Sequence, residues 1–220
     1  MKTVSILANS SITFGIISIA CLFSLHFVSP EIKPNFRMVS EYALGNHKWL
    51  ITLFFICWGL CSITSALMLW NMVTSGWSKF GVLLVFITGV GAIMGGLLDV
   101  QHKLHGLSFG IGVPFLPIGS LIVTYHLLKN PEWHNNSFSL LLSSHSIWIS
   151  LLFMAGSMFL LLSSLKSAGI VYRPEYPPLA ELPESVIGIS GWANRLLVLC
   201  YISYPVLTAK NALTILKVKK

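Results

Sequence analysis

Long apolar runs, separated by short polar joints, make up most of this chain of 220 residues. An apolar run of about 20 residues is long enough to cross the hydrocarbon core of a bilayer as an α-helix. The pattern therefore predicts an all-α fold, a polytopic membrane helix bundle with short joints and one longer loop before the last helix. Its six transmembrane helices are predicted at about 12–28, 49–70, 80–98, 107–128, 138–165 and 192–216.

The first run is also compatible with a secretory signal peptide, because Lys2 precedes it and Cys21 lies within it. The run continues beyond Cys21, however, and Ser18 departs from a lipoprotein cleavage site, so we expect a retained helix. The joints leave no room for a separate soluble domain. Residues 1–220 are therefore expected to form a single transmembrane domain.

Composition agrees with this class, since 55% of the residues are hydrophobic and only 10% are charged. An ordinary soluble domain has roughly 25% charged residues. The net charge of +7 does not indicate nucleic-acid binding, because the basic residues are scattered through the joints and the tail. The lysines clustered at the C-terminus and the acid-poor joints on the same side favour termini in the cytoplasm.

Several joints and runs carry further predictions. Residues 30–47 read as a short amphipathic segment on the bilayer surface, and the proline-rich joint 166–191 as a lid over the mouth of the bundle.

Proline removes an amide donor, so Pro114 and Pro117 should bend or break the fourth helix. Small residues spaced like Gly91 and Gly95 indicate tight helix packing, with a lipid or ligand groove as the alternative.

The ionisable residues that could form a functional site are concentrated in residues 97–106, in the joint between the third and fourth apolar runs. Ionisable groups at such a place are costly and are often functional. On a helix, Asp99, His102 and His105 would form one polar stripe. Asp99 and His105 would then stand about 9 Å apart, so a single zinc ion would need the chain to unwind or Glu41 to serve as a ligand.

With six crossings, the first, third and fifth joints meet at one face, which we expect to be the outer one. The face would bring together Glu41, Asp99 and Arg195. We expect Asp99 or Glu41 to contact Arg195, with His102 or His105 beside them, because charges at a membrane edge rarely remain unpaired.

Three short motifs resemble one known family. They are Ser40-Glu41-Tyr42-Ala43-x-Gly45, Asp99 followed by His105-Gly106, and Gly191-Trp192-Ala193-Asn194-Arg195. Together they are similar to the bacterial integral-membrane family catalogued as domain of unknown function 998. The resemblance implies an inner-membrane fold with no assigned activity, and polar signature positions at Ser40, Glu41, Asp99, His105 and Arg195.

The set Ser40, Asp99, His102 and His105 also resembles the intramembrane metal-dependent lipid hydrolases of the alkaline ceramidase type. Those enzymes have a histidine pair one turn apart in a late helix. Here the late runs offer His145 alone, which makes the hydrolase the second interpretation.

Three function classes remain. The first is a protein that binds lipid headgroups, a protein partner or a second copy of itself at the polar mouth, through Ser40, Glu41 and Arg195. The second is a lipid hydrolase, with Asp99, His102 and His105 as candidate catalytic residues and possible zinc ligands. The third is a small-molecule transporter, suggested by prolines within the helices. No phosphate, nucleotide or haem motif is present. We therefore expect no cofactor, with zinc as the one alternative.

Overall fold

The computed structural model describes residues 1–170, 179 and 181–218. Across this part of the chain the fold is all-α, as predicted, and six helical segments are long and apolar enough to cross a membrane. The protein is therefore a multi-pass membrane protein. The helices are α1 (Lys2–Val28), α2 (Lys48–Trp70), α3 (Gly76–Leu97), α4 (His105–Gly112), α5 (Phe115–Leu127), α6 (Ser137–Ser167) and α7 (Ser190–Val218), with two short 3-10 helices at Val39–Leu44 and Pro131–Asn136.

Helix α1 begins at Lys2, well before the predicted start near residue 12. Its first half contains serines and an asparagine, which lower the local hydropathy without preventing a helix. The hydroxyl of Ser11 is buried and donates to the carbonyl of Cys61 at 2.9 Å, and that of Ser18 donates to the carbonyl of Phe54 at 3.0 Å. These polar residues therefore face α2 and pack α1 against it.

The helices pack in a closed arrangement that leaves α4 at its edge. Helix α1 packs on α2 and α7, α2 on α3, α3 on α4 and α5, and α6 on α5 and α7. Helix α6 has 31 residues, about 46 Å at 1.5 Å per residue, so it extends beyond a hydrocarbon core of about 30 Å. Its extending end carries Leu161 and Leu165, which pack against Leu182 and Val186 of the fifth joint.

The fourth transmembrane run is broken, as its prolines predicted. Helix α4 ends at Gly112 and α5 begins at Phe115. Pro117 has no amide hydrogen to donate to the carbonyl of Val113, four residues earlier. The hydroxyl of Tyr201 in α7 donates to that carbonyl at 2.8 Å. Tyr201 thus supplies the hydrogen bond that the proline removes, and in a bilayer no water would replace it.

Tyr201→Phe should lower the free energy of unfolding by about 2 kcal/mol, because it leaves the buried Val113 carbonyl without a donor. Val113 and Pro114 both have α-helical dihedral angles, so an amide at position 117 would point at this carbonyl. We therefore expect Pro117→Ala to restore most of the lost stability in the Tyr201→Phe background. Unfolding in mixed detergent–SDS micelles measures the four proteins of this cycle.

Tyr204→Phe is the matched control for this cycle. The hydroxyl of Tyr204 donates to the carbonyl of Ser120 at 3.2 Å, but that carbonyl lies inside α5 and already accepts a helical amide. Pro117→Ala should therefore give no rescue in the Tyr204→Phe background. Equal rescue of both variants would show that the proline acts on α5 in general and not through Val113.

The first joint folds into the end of the bundle, which corrects the prediction of a segment lying on the bilayer surface. Its 3-10 helix packs on α2 and α7, and Val39 and Tyr42 are fully enclosed. The joint therefore covers this end of the bundle, which we call the mouth: the end where α1 and α3 finish and α7 begins. The lid prediction for the fifth joint rests mostly on residues 171–178 and 180, which lie outside the described residues.

Candidate functional site

Residues 98–104 form a series of turns between α3 and α4, so the predicted helical stripe of Asp99, His102 and His105 does not exist. The amide of His102 donates to the carbonyl of Asp99 at 2.8 Å, and the amide of His105 to that of His102 at 2.9 Å. The carboxylate of Asp99 accepts from the amide of Gln101 at 2.9 Å. An aspartate that bonds its own backbone two residues on favours such a turn over a helix.

Asp99 pairs with Lys48 at the start of α2, while the exposed ring of His102 accepts through Nδ1 from the amide of Leu104 at 3.1 Å. Hydrogen bonding from Lys48 holds the pKa of the Asp99 carboxyl below its usual value, helped by the backbone amides of Gln101 and His102. Among the described residues, no three His, Cys, Asp or Glu side chains are grouped as a metal site. The candidate metal ligands Asp99, His102 and His105 are therefore not grouped around a common point.

The Asp99–Lys48 pair should make stability depend on pH. Because the pKa of Asp99 is lowered on folding, the pair stabilises the protein above the pKa of the unfolded chain, and this contribution is lost as the pH falls through the lower folded value. Lys48 is 53% exposed, so the contribution is less than about 1 kcal/mol. As the pH falls below about 5, the thermal unfolding temperature should decline more steeply for the wild type than for Asp99→Asn or Lys48→Met. Parallel pH profiles of the three proteins would contradict this assignment.

Arg195 is buried at the mouth, where its guanidinium group ties three parts of the chain together. It donates to Nε2 of His26 in α1 at 2.9 Å, to the carbonyl of Arg37 at 2.8 Å and to the hydroxyl of Tyr42 at 3.1 Å. It also donates to the carbonyl of Gly191 at 3.0 Å. The side chain is 4% exposed, so these acceptors replace the water that the charge loses.

The expected contact of Arg195 with Asp99 or Glu41 is absent, and that prediction was wrong. Asp99 pairs with Lys48, and Glu41 pairs with Arg37 at 3.0 Å while accepting from the amide of Met38 at 2.6 Å. The reason is local, because Glu41 lies one helical turn after Arg37 and within reach of it. Glu41 and Arg195 meet only indirectly, since the carbonyl of Arg37 accepts from Arg195.

The hydrogen bonds of Arg195 form a clamp at the mouth. A small cavity of about 90 Å³ lies beside this clamp, between the first joint, α3, α4 and α7. Its polar lining includes Ser40, His105 and Asn194, two of which were predicted as site residues. Phe109 of α4 also lines it and is 57% exposed, so the cavity reaches the outer surface of the bundle. Gly91 lies six residues before the end of α3, so the cavity extends about 9 Å below that helix end.

Two glycines of α3 differ in how closely the neighbouring helices approach them. A side chain at Gly91 would overlap the backbone nitrogen and Cα of Gly112 in α4, so this glycine permits close packing. A Cβ at Gly95 would meet only the ring of Phe55 at 3.6 Å, an ordinary contact. Gly95 is therefore less crowded than Gly91, and it lines the cavity.

Backbone partners determine how the polar groups of the cavity are oriented. Nδ1 of His105 lies 2.7 Å from the carbonyl of Leu98, so it carries a proton, and in the neutral ring Nε2 then has a free lone pair. The side-chain oxygen of Asn194 accepts from the amide of Val39 at 2.8 Å, which leaves its NH₂ group on the other side. Within the described part of the chain, neither Nε2 of His105, nor the NH₂ of Asn194, nor the hydroxyl of Ser40 has a hydrogen-bond partner.

The sequence interpretation missed His26, Tyr42 and Lys48, and it did not assign a role to Asn194. Tyr42 and Asn194 both lie within motifs that carried the family resemblance, so the motifs contained a usable signal. His26 contacts Arg195 across 169 positions of sequence, and nothing in the local pattern around either residue indicates this pairing.

No curated protein and no solved structure is significantly similar to this chain. The model of one family, described as "Protein of unknown function (DUF998)", matches residues 13–200. The match extends from α1 into α7 and includes the mouth, the clamp of Arg195 and the cavity. The family suggested by the three motifs is thereby confirmed, and the chain belongs to the family "Protein of unknown function (DUF998)".

Proposed function

We propose that this protein binds the polar part of a membrane lipid in the cavity lined by Ser40, His105 and Asn194. The observation that supports this most is the set of three unpartnered polar groups in a cavity whose other walls are mainly glycine and apolar side chains. Their three residues are half-buried, and polar groups partly shielded from water are stabilised by a hydrogen-bond partner. A ligand that reaches the cavity from the lipid phase beside Phe109 would supply them.

The volume of the cavity limits what it can hold. Pockets that enclose drug-sized ligands measure roughly 300–1,000 Å³, whereas this one measures about 90 Å³. The cavity therefore admits only the small polar end of a lipid, while the acyl chains stay outside against α4. Leu107 and Phe109 on the outer face of α4 are about half exposed and provide an apolar surface for those chains.

Glu41 and Arg195 act in this proposal by positioning the lining. Arg195 holds the first joint through Arg37 and Tyr42, and Glu41 holds Arg37. Ser40 lies between these anchored residues in the 3-10 helix. The binding role predicted for Ser40 is thus kept, and Glu41 and Arg195 support it from outside the cavity.

The proposed location is the cell inner membrane, with both termini in the cytoplasm and the mouth at the outer face. The lysine cluster at the end of α7 and the acid-poor joints on that side support this orientation. A lipid bound at the mouth would then come from the outer leaflet.

Filling the cavity tests the proposal. Gly95→Leu places a side chain in the cavity from a position where a Cβ is tolerated, and Gly110→Leu adds the same bulk where no atom lies within 4 Å. Native mass spectrometry of protein released from lipid nanodiscs should show a retained lipid for the wild type and Gly110→Leu, and none for Gly95→Leu. Lipid retained equally by Gly95→Leu would contradict the proposal, and a doubled protein mass would point instead to a second copy as the partner.

A further inference from the structure

The hydrogen-bonding character of the cavity specifies the kind of group that fits it. With Nδ1 of His105 bonded to the carbonyl of Leu98, Nε2 can only accept a hydrogen bond while the ring is neutral. A ligand must therefore present an O–H or N–H group to this nitrogen. A lipid whose polar atoms are all acceptors leaves Nε2 unsatisfied.

Asn194 makes the opposite demand on the ligand. The amide of Val39 needs an acceptor, and the side-chain oxygen of Asn194 provides it. The NH₂ group is therefore the part of Asn194 that remains for a ligand, and it can only donate. A carbonyl oxygen is the natural partner, while the hydroxyl of Ser40 can accept or donate beside it.

The cavity is also uncharged. No Asp, Glu, Lys or Arg among the described residues lines it. The guanidinium of Arg195 is close in sequence to Asn194, but it bonds to His26, Tyr42 and backbone carbonyls on another face of α7. An anionic phosphate would lose part of its water in this half-enclosed cavity without gaining a cation, which is unfavourable.

We propose that the ligand is a neutral lipid with a free hydroxyl group close to an ester carbonyl, as in diacylglycerol. The hydroxyl donates to Nε2 of His105, and the carbonyl accepts from the NH₂ of Asn194. This inference rests on the proposed function, since it specifies the ligand of the same cavity.

Three lipids with the same acyl chains test separately whether the ligand needs a hydroxyl group and whether it must be uncharged. Diacylglycerol has the hydroxyl, triacylglycerol replaces it with an ester that cannot donate, and phosphatidic acid replaces it with a charged phosphate. Each is added at the same mole fraction to phosphatidylcholine nanodiscs that contain the full-length protein. Native mass spectrometry of the released protein should show retention of diacylglycerol at least about tenfold above the other two, a difference of about 1.4 kcal/mol.

Asn194→Asp tests the assignment of the carbonyl partner. Aspartate keeps an acceptor for the amide of Val39 but removes the NH₂ donor, so the diacylglycerol preference should disappear. The thermal unfolding temperature, measured on the same protein, reports separately what the added charge does to the fold. Ser40→Ala serves as a second variant that leaves the Val39 contact untouched, and it should weaken retention of diacylglycerol less than Asn194→Asp does.

The outcomes distinguish this inference from the proposed function. Phosphatidic acid or triacylglycerol retained as well as diacylglycerol, and lost in Gly95→Leu, would overturn the neutral hydroxyl ligand while leaving lipid binding in the cavity intact. Retention of all three lipids in Gly95→Leu, or of none by the wild type, would overturn both. A diacylglycerol preference that persists in Asn194→Asp would overturn the assigned contact and with it the inference.

Discussion

Arg195→Met should lower the free energy of unfolding by about 4 kcal/mol, the largest effect that we expect from a single substitution at the mouth. The substitution leaves Nε2 of His26, the hydroxyl of Tyr42 and the carbonyl of Arg37 without their donor, while the carbonyl of Gly191 keeps the helical amide of position 195. Methionine fills much of the same volume but donates nothing. Reversible unfolding in mixed detergent–SDS micelles measures the loss.

Lys210→Met is the matched control for Arg195→Met, because it removes a cation from the same helix at an exposed position. It should change the free energy of unfolding by less than about 0.5 kcal/mol. Arg195→Lys keeps the charge but not the planar set of donors, and it should recover only part of the loss. Full recovery with lysine would show that charge alone matters and would contradict the hydrogen-bonded clamp.

Gly91→Ala should destabilise the protein by about 3 kcal/mol, the second largest effect, because its added methyl group overlaps the backbone of Gly112 and neither backbone can yield as a side chain would. The contact also positions α4 against α3, so the same substitution should reduce lipid retention in the cavity. The unfolding measurement and native mass spectrometry report these two effects separately.

Gly106→Ala and Gly110→Ala control for the helical preference of alanine. Both positions are on the exposed side of α4, and no atom lies within 4 Å of a Cβ added there. Both variants should be as stable as the wild type or slightly more stable. A loss at Gly110→Ala as large as that at Gly91→Ala would mean that the glycines act through backbone flexibility and not through close packing.

The membrane spans were predictable because hydropathy is a property of each local run of residues. The break in the fourth run was predictable for the same reason, since Pro114 and Pro117 act on their own backbone. The start of α1 was not, because Ser11 and Ser18 lower the hydropathy while serving as contacts to α2. Polar residues that bond to a neighbouring helix cannot be told from interfacial residues in a single sequence.

The candidate site was predicted in part. Ser40 and His105 line the cavity, and the joints that carry them do lie at the same end of the bundle. The pairing of charges was not predictable, because each acid had several bases available in the joints. Asp99 forms an ion pair with Lys48, and Glu41 forms one with Arg37, its neighbour along the same joint. Arg195 was left to bond neutral groups, a solution that no rule about opposite charges indicates.

The burial of the first joint also depends on distant contacts. Its sequence has the amphipathic pattern of a segment that lies on the bilayer surface. In the structure, however, Arg195 and Asn194 of α7 form hydrogen bonds with it from more than 150 positions away. Those bonds satisfy backbone groups that would otherwise need water. The joint can therefore fold inward, and only then does a cavity form beneath Ser40.

The most direct test of lipid binding at the mouth is a cryo-electron microscopy structure of the protein in lipid nanodiscs. A rigid antibody fragment bound at the opposite end of the bundle makes the particle large enough to align. We expect a lipid with its acyl chains along Leu107 and Phe109, and with oxygen atoms within hydrogen-bond distance of Nε2 of His105 and the NH₂ of Asn194. A cavity occupied only by water, with lipid density no stronger beside Phe109 than elsewhere around the bundle, would contradict it.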